Sequence, residues 1–191
     1  MNHSEIMDPW TSSNDPIDME DDDDVLPLLV LPNRKPVAVL MATHPVDLKD
    51  SAGKTSLMYA AECGSINVKA LLEEKAAIDA KDNNNRTALM HAAINGYSDT
   101  VKTLIAEKAS INTRDVDIKT SLIHAVCDGH SDVVRILVAA KAIVDIVDKD
   151  GGSALLYATR CSDIALVRLL LEAKAPPDIA DKDGFSPLIV A

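Results

Sequence analysis

Short groups of hydrophobic residues with helical spacing alternate with polar turns along residues 82–114. Leu89, Ala92 and Ala93 follow the i, i+3, i+4 spacing of a helix, and a second group of the same kind begins at Val101. Both predicted helices are short, and isolated helices of fewer than about 12 residues are marginal in water. The pattern therefore predicts paired helices that bury their apolar faces against neighbouring units.

Polar residues mark where these helices begin and end. Residues 82–86 read Asp-Asn-Asn-Asn-Arg, a composition that favours a turn. Thr87 is a suitable N-cap for the first helix because its hydroxyl can accept a free amide hydrogen of the first turn. Gly96 is expected to end that helix, and the second helix is expected to start at about Ser98.

This arrangement recurs along the chain at intervals of 32, 33, 33 and 33 residues. Each unit opens with a turn aspartate, and these are Asp50, Asp82, Asp115, Asp148 and Asp181. Five residues later comes Thr or Ser, followed two positions on by Leu, as in Thr55-Ser-Leu. A second hydrophobic run starts at Val68, Val101, Val134 and Val167. A fixed period of this length predicts a repeat protein.

These residues resemble the ankyrin repeat, whose pattern runs D-x-x-G-x-T-P-L-H-x-A-A-x-x-G-H, then a Val-Leu helix, then G-A-x-x-N. The resemblance covers roughly residues 34–191. It implies an all-α solenoid of stacked helix-turn-helix units with short β-turn or hairpin connections. It also implies a protein that binds other proteins and is not an enzyme.

The register divides the chain into seven segments. We expect residues 1–33 to form an acidic, disordered tail with a short apolar segment, and residues 34–49 to form a degenerate half-repeat that serves as the N-terminal cap. Four full repeats are expected to follow, at residues 50–81, 82–114, 115–147 and 148–180. Residues 181–191 are expected to form a truncated repeat.

Three departures from the family pattern carry structural expectations. Ile118 stands at a turn glycine position, where a left-handed backbone would cost about 1 kcal/mol or more. Apolar residues replace the family histidine and predict apolar packing between repeats: Met58, Met90, Ile123, Leu156 and Ile189. Lysine replaces the glycine after the second helix in every full unit: Lys75, Lys108, Lys141 and Lys174.

Composition narrows the partners and the compartment. The net charge is −11, but residues 1–24 hold nine acids and no Lys or Arg, so the rest of the chain sums to −2. Without a basic excess, nucleic acid is not an expected partner. Cys63, Cys127 and Cys161 lie far apart and suit a reducing compartment. No signal peptide or membrane span is evident, which favours a soluble intracellular protein, cytoplasmic or nuclear, without membrane insertion.

Candidate catalytic or cofactor chemistry is weak. Gly53-Lys54-Thr55 resembles the end of a phosphate-binding loop, but Leu48 stands where that loop needs glycine. His91 and His124 occupy equivalent positions, and two histidines alone make a poor metal site, so packing with a hydrogen bond is the favoured interpretation. The turn aspartates are interpreted as turn residues. We therefore expect no catalytic residues, no cofactor, no metal and no small-molecule substrate.

The resemblance implies that partners bind a concave surface made of turn tips and the ends of the first helices. Its contact residues would be Ser51, Ala52, Lys54, Glu62, Cys63, Asn83, Asn84, Arg86, Ile94, Asn95, Val116, Asp117, Lys119, Cys127, Asp128, Lys149, Asp150, Gly152, Arg160 and Cys161. Arg86 and Arg160 are the expected anchors. Reversing both charges is expected to weaken binding without unfolding the protein.

One position carries a candidate modification. Asn112 occupies the asparagine of the family's G-A-x-x-N motif, which in this family can be hydroxylated; the favoured alternative is a side chain that bridges turns. Two functions stay open: a stand-alone adaptor or scaffold, or the N-terminal recognition arm of a longer enzyme, such as a kinase or ubiquitin ligase, whose catalytic part lies beyond residue 191. The partner in either case is another protein.

Overall fold

The computed structural model describes residues 46–190. Within this range the chain forms short helices joined by turns, in the order α1 Ser56–Glu62, α2 Asn67–Glu73, α3 Ala88–Ile94, α4 Ser98–Ala106, α5 Ser121–Cys127, α6 Ser131–Ala139, α7 Ala154–Arg160, α8 Ile164–Glu172 and α9 Pro187–Val190. The expectations for the tail and for most of the half-repeat fall outside the described residues.

The helices stack in two layers. The first helices of consecutive units, α1, α3, α5 and α7, pack against one another, and α9 packs against α7. The second helices, α2, α4, α6 and α8, form the other layer, and each also packs against the first helix of its own unit. Between residues 46 and 190 the only β-pairing is an isolated antiparallel bridge between Val147 and Ser153. The predicted all-α solenoid is confirmed.

Side-chain caps start the first helices, as the sequence predicts. The hydroxyl of Thr87 accepts the amide hydrogen of Met90, and the equivalent caps are Thr55, Thr120 and Ser153. Each such cap typically contributes about 1 kcal/mol. The 32-residue unit accommodates its missing residue around α2, which has seven residues where α4 has nine.

Left-handed residues end the helices. Gly64, Gly96 and Gly129 have positive φ after the first helices, and Ser162 takes the same conformation in the fourth unit. After the second helices the left-handed position belongs to the four lysines, with φ between 66° and 72°. This is the backbone position for which glycine is usually selected, and nothing in the structure explains the choice of lysine.

The core lies between the two layers and consists mainly of Leu, Val and Ala. The positions of the family histidine are buried and apolar in four units, with Met58, Met90, Ile123 and Leu156 at most 1% exposed. Apolar packing between repeats is therefore confirmed in these units. In α9 the equivalent Ile189 is 67% exposed, because no second helix packs against α9 within the described residues.

Candidate protein-binding surface

An aspartate organises each turn, and it is buried in the second, third and fourth units. One oxygen of Asp82 accepts the amide hydrogens of Asn84 at 2.9 Å and Arg86 at 2.8 Å, and the other lies 3.0 Å from Nε2 of His91. The same arrangement joins Asp50 to Tyr59, Asp115 to His124 and Asp148 to Tyr157. Each aspartate thus fixes its turn to the following first helix. The interpretation of these aspartates as turn residues agrees with this geometry.

The two histidines of this arrangement are held neutral. Both are buried, and burial is the largest influence, lowering the pKa of each from its ordinary value of 6.5. Hydrogen bonds to Asp82 and Asp115 oppose that effect only in part. A neutral imidazole that donates from Nε2 to the carboxylate satisfies both groups. Within residues 46–190 no group of three or more His, Cys, Asp and Glu side chains is placed to hold a metal ion.

Backbone hydrogen bonds join the turns of successive units into one continuous edge. The amide of each second turn residue donates to the carbonyl of the third residue in the preceding turn at 2.9–3.0 Å: Asn83 to Ala52, Val116 to Asn84, Lys149 to Asp117 and Lys182 to Asp150. This pairing holds the turns in a fixed spacing. We call the surface formed by these turns and by the C-terminal ends of the first helices the turn-tip surface.

Most of the predicted contact residues are accessible on this surface. Those classed as exposed are Ser51, Ala52, Cys63, Asn83, Asn84, Asn95, Val116, Asp128, Lys149, Asp150, Arg160 and Cys161. Those that are half-buried are Lys54, Glu62, Arg86, Ile94, Asp117, Lys119 and Cys127. Whether a partner contacts them stays a prediction.

Gly152 is the exception, because it is buried. A Cβ atom at this position would lie 2.6 Å from the hydroxyl oxygen of Tyr157, so the glycine leaves room for that ring. Gly152 therefore offers little surface to a partner in the free chain, and its role as a contact residue stays a prediction.

Several cations of the surface are already engaged within the chain. Hydrogen-bonded ion pairs join Lys54 to Glu62 at 2.8 Å, Lys149 to Asp117 at 2.8 Å and Arg160 to Asp181 at 2.6 Å. Arg160 also lies over the ring of Phe185, with 6.0 Å between the guanidinium carbon and the ring centroid. Arg160 is thus a link between the fourth unit and the next turn, and the structure does not present it as a free anchor.

Arg86 has a different environment. Its Nε atom is buried, has no hydrogen-bond partner and lies 3.7 Å from Oδ2 of the buried Asp115. A glutamate at this position would bring a second carboxylate toward Asp115. The expected test by charge reversal therefore needs revision, because reversing Arg86 and Arg160 would remove favourable contacts inside the stack and lower stability.

Sequence reasoning overlooked Ile118 as a surface residue. Its φ of 63° confirms the left-handed conformation expected at a turn glycine position, and its side chain is 38% exposed. Val116, two residues earlier, is 52% exposed. The equivalent residues in the other turns are small or polar, and this contrast in the sequence could have indicated an exposed apolar position.

Asn112 bridges two units. Its side-chain oxygen accepts the amide hydrogen of Ile143 in the next repeat at 2.9 Å. Asp79 accepts from Ser110, and Asp47 from Ala77, in the same way. The bridging role is confirmed by these contacts, and hydroxylation of Asn112 stays a prediction.

A stack of two-helix units with a paired turn edge defines a helical-repeat protein of the interaction class. A sequence model described as "Ankyrin repeats (3 copies)" matches residues 20–115 and 114–183. The chain belongs to the ankyrin repeat family. No curated protein sequence matches it closely enough to suggest a particular relative. None of the helices described between residues 46 and 190 has the length and apolar character required to cross a membrane.

Proposed function

We propose that the chain is a non-catalytic adaptor or scaffold that binds another protein through the turn-tip surface. The observation that carries the proposal is the continuous edge of turns, joined by backbone hydrogen bonds from the first unit to the last. Since those backbone groups are paired with one another, the exposed side chains between them are what a partner would meet. A surface held rigid before binding loses little conformational entropy when a partner arrives.

The charge on this surface favours a protein partner. Lysines, arginines and acids are interspersed, and several form ion pairs with one another. A nucleic-acid surface would instead show an excess of cations along one face. The alternative function, a recognition arm of a longer enzyme, would use the same surface in the same way.

A library of random peptides displayed on phage provides a direct test. Peptides selected on the whole chain should lose binding to a variant that carries Asn84→Trp and Asp128→Trp, which places bulky side chains at two exposed positions of the turn-tip surface. The control variant carries Lys69→Trp and Arg135→Trp, at exposed positions on second helices. The proposal predicts that peptides bind the control and the wild type equally. Peptides that lose binding only to the control variant, or a failure to select any peptide, would contradict it.

A further inference from the structure

Arg86 and Lys119 occupy the same turn position in consecutive units, and neither has a carboxylate bound to it by a hydrogen bond among residues 46–190. The other cations near them differ in this respect. Lys54, Lys149 and Arg160 each donate to an acid of this chain at 2.6–2.8 Å. Two neighbouring cations are thus left without a hydrogen-bonded acid, whereas the three other cations named above each have one.

Of the two cations, Arg86 gives the stronger evidence for a binding site. Its guanidinium is half-buried, with 33% of the side chain exposed, and its Nε has no hydrogen-bond partner. The nearby Asp115 does not supply one, because its Oδ2 lies 3.7 Å from Nε, beyond hydrogen-bond distance. Since Nε itself is buried, a carboxylate from outside the chain would meet the terminal nitrogens of the partly exposed guanidinium, whose geometry it matches.

Lys119 lies in the same region as this guanidinium, since the charges of both residues act on Asp117 and on His124. Its Nζ lies 5.4 Å from the centroid of the Tyr157 ring. Asp117, an acid of the same turn, has its pKa lowered first by the hydrogen bond from Lys149 and also by the charges of Lys119 and Arg86. Both cations therefore lie near one turn, and Asp117 of that turn is already bound to a third cation.

Two uncharged side chains near these cations, His124 and Cys127, favour an ion pair formed there. Burial raises the pKa of the Cys127 thiol to about 11 and lowers the pKa of His124, so both side chains are uncharged near neutral pH. An ion pair formed over neutral, poorly hydrated groups is screened less than one in water. A ligand carboxylate would therefore be held more firmly here than at a fully exposed lysine.

The same turn also exposes apolar surface. Val116 and Ile118 are both β-branched, and Ile118 holds a left-handed backbone that other units assign to glycine, as at Gly53 and Gly151. Strained residues of this kind persist where the surrounding structure or a function requires them. Ile118 still leaves 38% of its surface exposed, which is available to a ligand. The combination suits a ligand that carries an apolar group beside its acid.

We propose that the turn of the third repeat, together with Arg86 of the second, anchors an acidic segment of a protein partner in which a carboxylate lies beside an apolar side chain. This inference rests on the proposed binding function and adds the chemistry of the partner. Arg86 and Lys119 bind the carboxylate, and Val116 and Ile118 contact the apolar group.

The experiment uses the peptide library on the whole chain and reads the sequences that are enriched. They are expected to share Asp or Glu next to Leu, Ile, Val or an aromatic residue. Arg86→Gln with Lys119→Gln should weaken their binding at least about tenfold, since two charge-assisted hydrogen bonds are lost. Lys54→Gln is the matched control, because this lysine occupies the same turn position in the first unit and is already paired with Glu62. Its affinity should stay within about twofold of the wild type.

The outcomes separate this inference from the broader function. Neutral or basic peptides that depend on the turn-tip surface would overturn the inference and leave the binding function standing. Acidic peptides that bind the Arg86 and Lys119 variant as well as the wild type would overturn it too. If the double variant fails to fold, as judged by its thermal melt, Lys119→Gln alone decides, because Lys119 forms no side-chain hydrogen bond within residues 46–190. A large gain in peptide affinity on deletion of residues 1–24 would assign the site to this chain's own acidic segment and overturn the assignment to a partner.

Discussion

The paired histidines of the second and third repeats should make the protein sensitive to mild acid. His91 and His124 are buried and hydrogen-bonded to Asp82 and Asp115, and burial lowers the pKa of each imidazole below 6.5. The unfolded chain therefore binds protons more readily than the folded one. Stability is then fully present above about pH 6.5 and decreases as the pH falls toward the lower pKa of the folded state.

The loss of stability that each histidine can cause has an upper limit. If a histidine stayed neutral in the folded protein at about pH 5, the free energy of unfolding would fall by about 2 kcal/mol between about pH 7.5 and about pH 5. The hydrogen bond to aspartate opposes the shift, so the loss is smaller than this for each residue. We expect the two histidines together to lose less than about 4 kcal/mol, and a loss in this direction that the variant lacks is the result that supports the reasoning.

The chain itself supplies the matched variant. In the first and fourth repeats a tyrosine donates to the turn aspartate in place of histidine, through Tyr59 and Tyr157. Replacement of His91 and His124 by Tyr retains the donor and removes the group that titrates. Urea unfolding at both pH values compares the change in free energy with pH, so a constant packing penalty in the variant cancels. If the variant and the wild type lose the same stability between the two pH values, the histidines are not the cause.

Three further predictions follow from single positions. Ile118→Gly should raise the free energy of unfolding by about 0.5–1 kcal/mol, because relief of left-handed strain exceeds the added entropy of the unfolded chain. A urea titration measures this free energy, and Gly151→Ala at the equivalent position should lower it. Iodoacetamide should label Cys127 more slowly than the two exposed cysteines, because its pKa of about 11 leaves little thiolate, and mass spectrometry of a time course with equal rates would contradict this. The hydroxylation hypothesis for Asn112 predicts a modified tryptic peptide from normoxic cells; an unmodified peptide would refute it and leave the bridge to Ile143 as the role of this residue.

Local sequence signals predicted the units correctly because their interactions lie within a few residues of one another. The cap at Thr87 binds an amide three residues away, and Asp82 binds the amides two and four residues further on. The left-handed backbone of Gly96 lies directly after its helix. Such contacts recur whenever the same residues stand at the same spacing, so the repeat and its fold could be read from the chain.

The candidate surface was only partly predictable because its side-chain partners come from other units. Arg160 bonds with an acid 21 residues later, and Lys149 with one 32 residues earlier. Whether a turn cation is free or engaged depends on which residue the neighbouring repeat places opposite it. A pattern common to all units cannot contain that information.

The sequence by itself determined the 33-residue register, the caps, the left-handed positions and the family, because each depends on local geometry. Tertiary stacking alone decided that Lys149 is paired with Asp117, that Arg160 is engaged with Asp181 and that Arg86 keeps a donor without a hydrogen-bond partner. These features arise where side chains distant along the chain meet. Whether a side chain is buried or paired depends on the residues of the neighbouring unit, and the sequence of one unit does not specify these contacts.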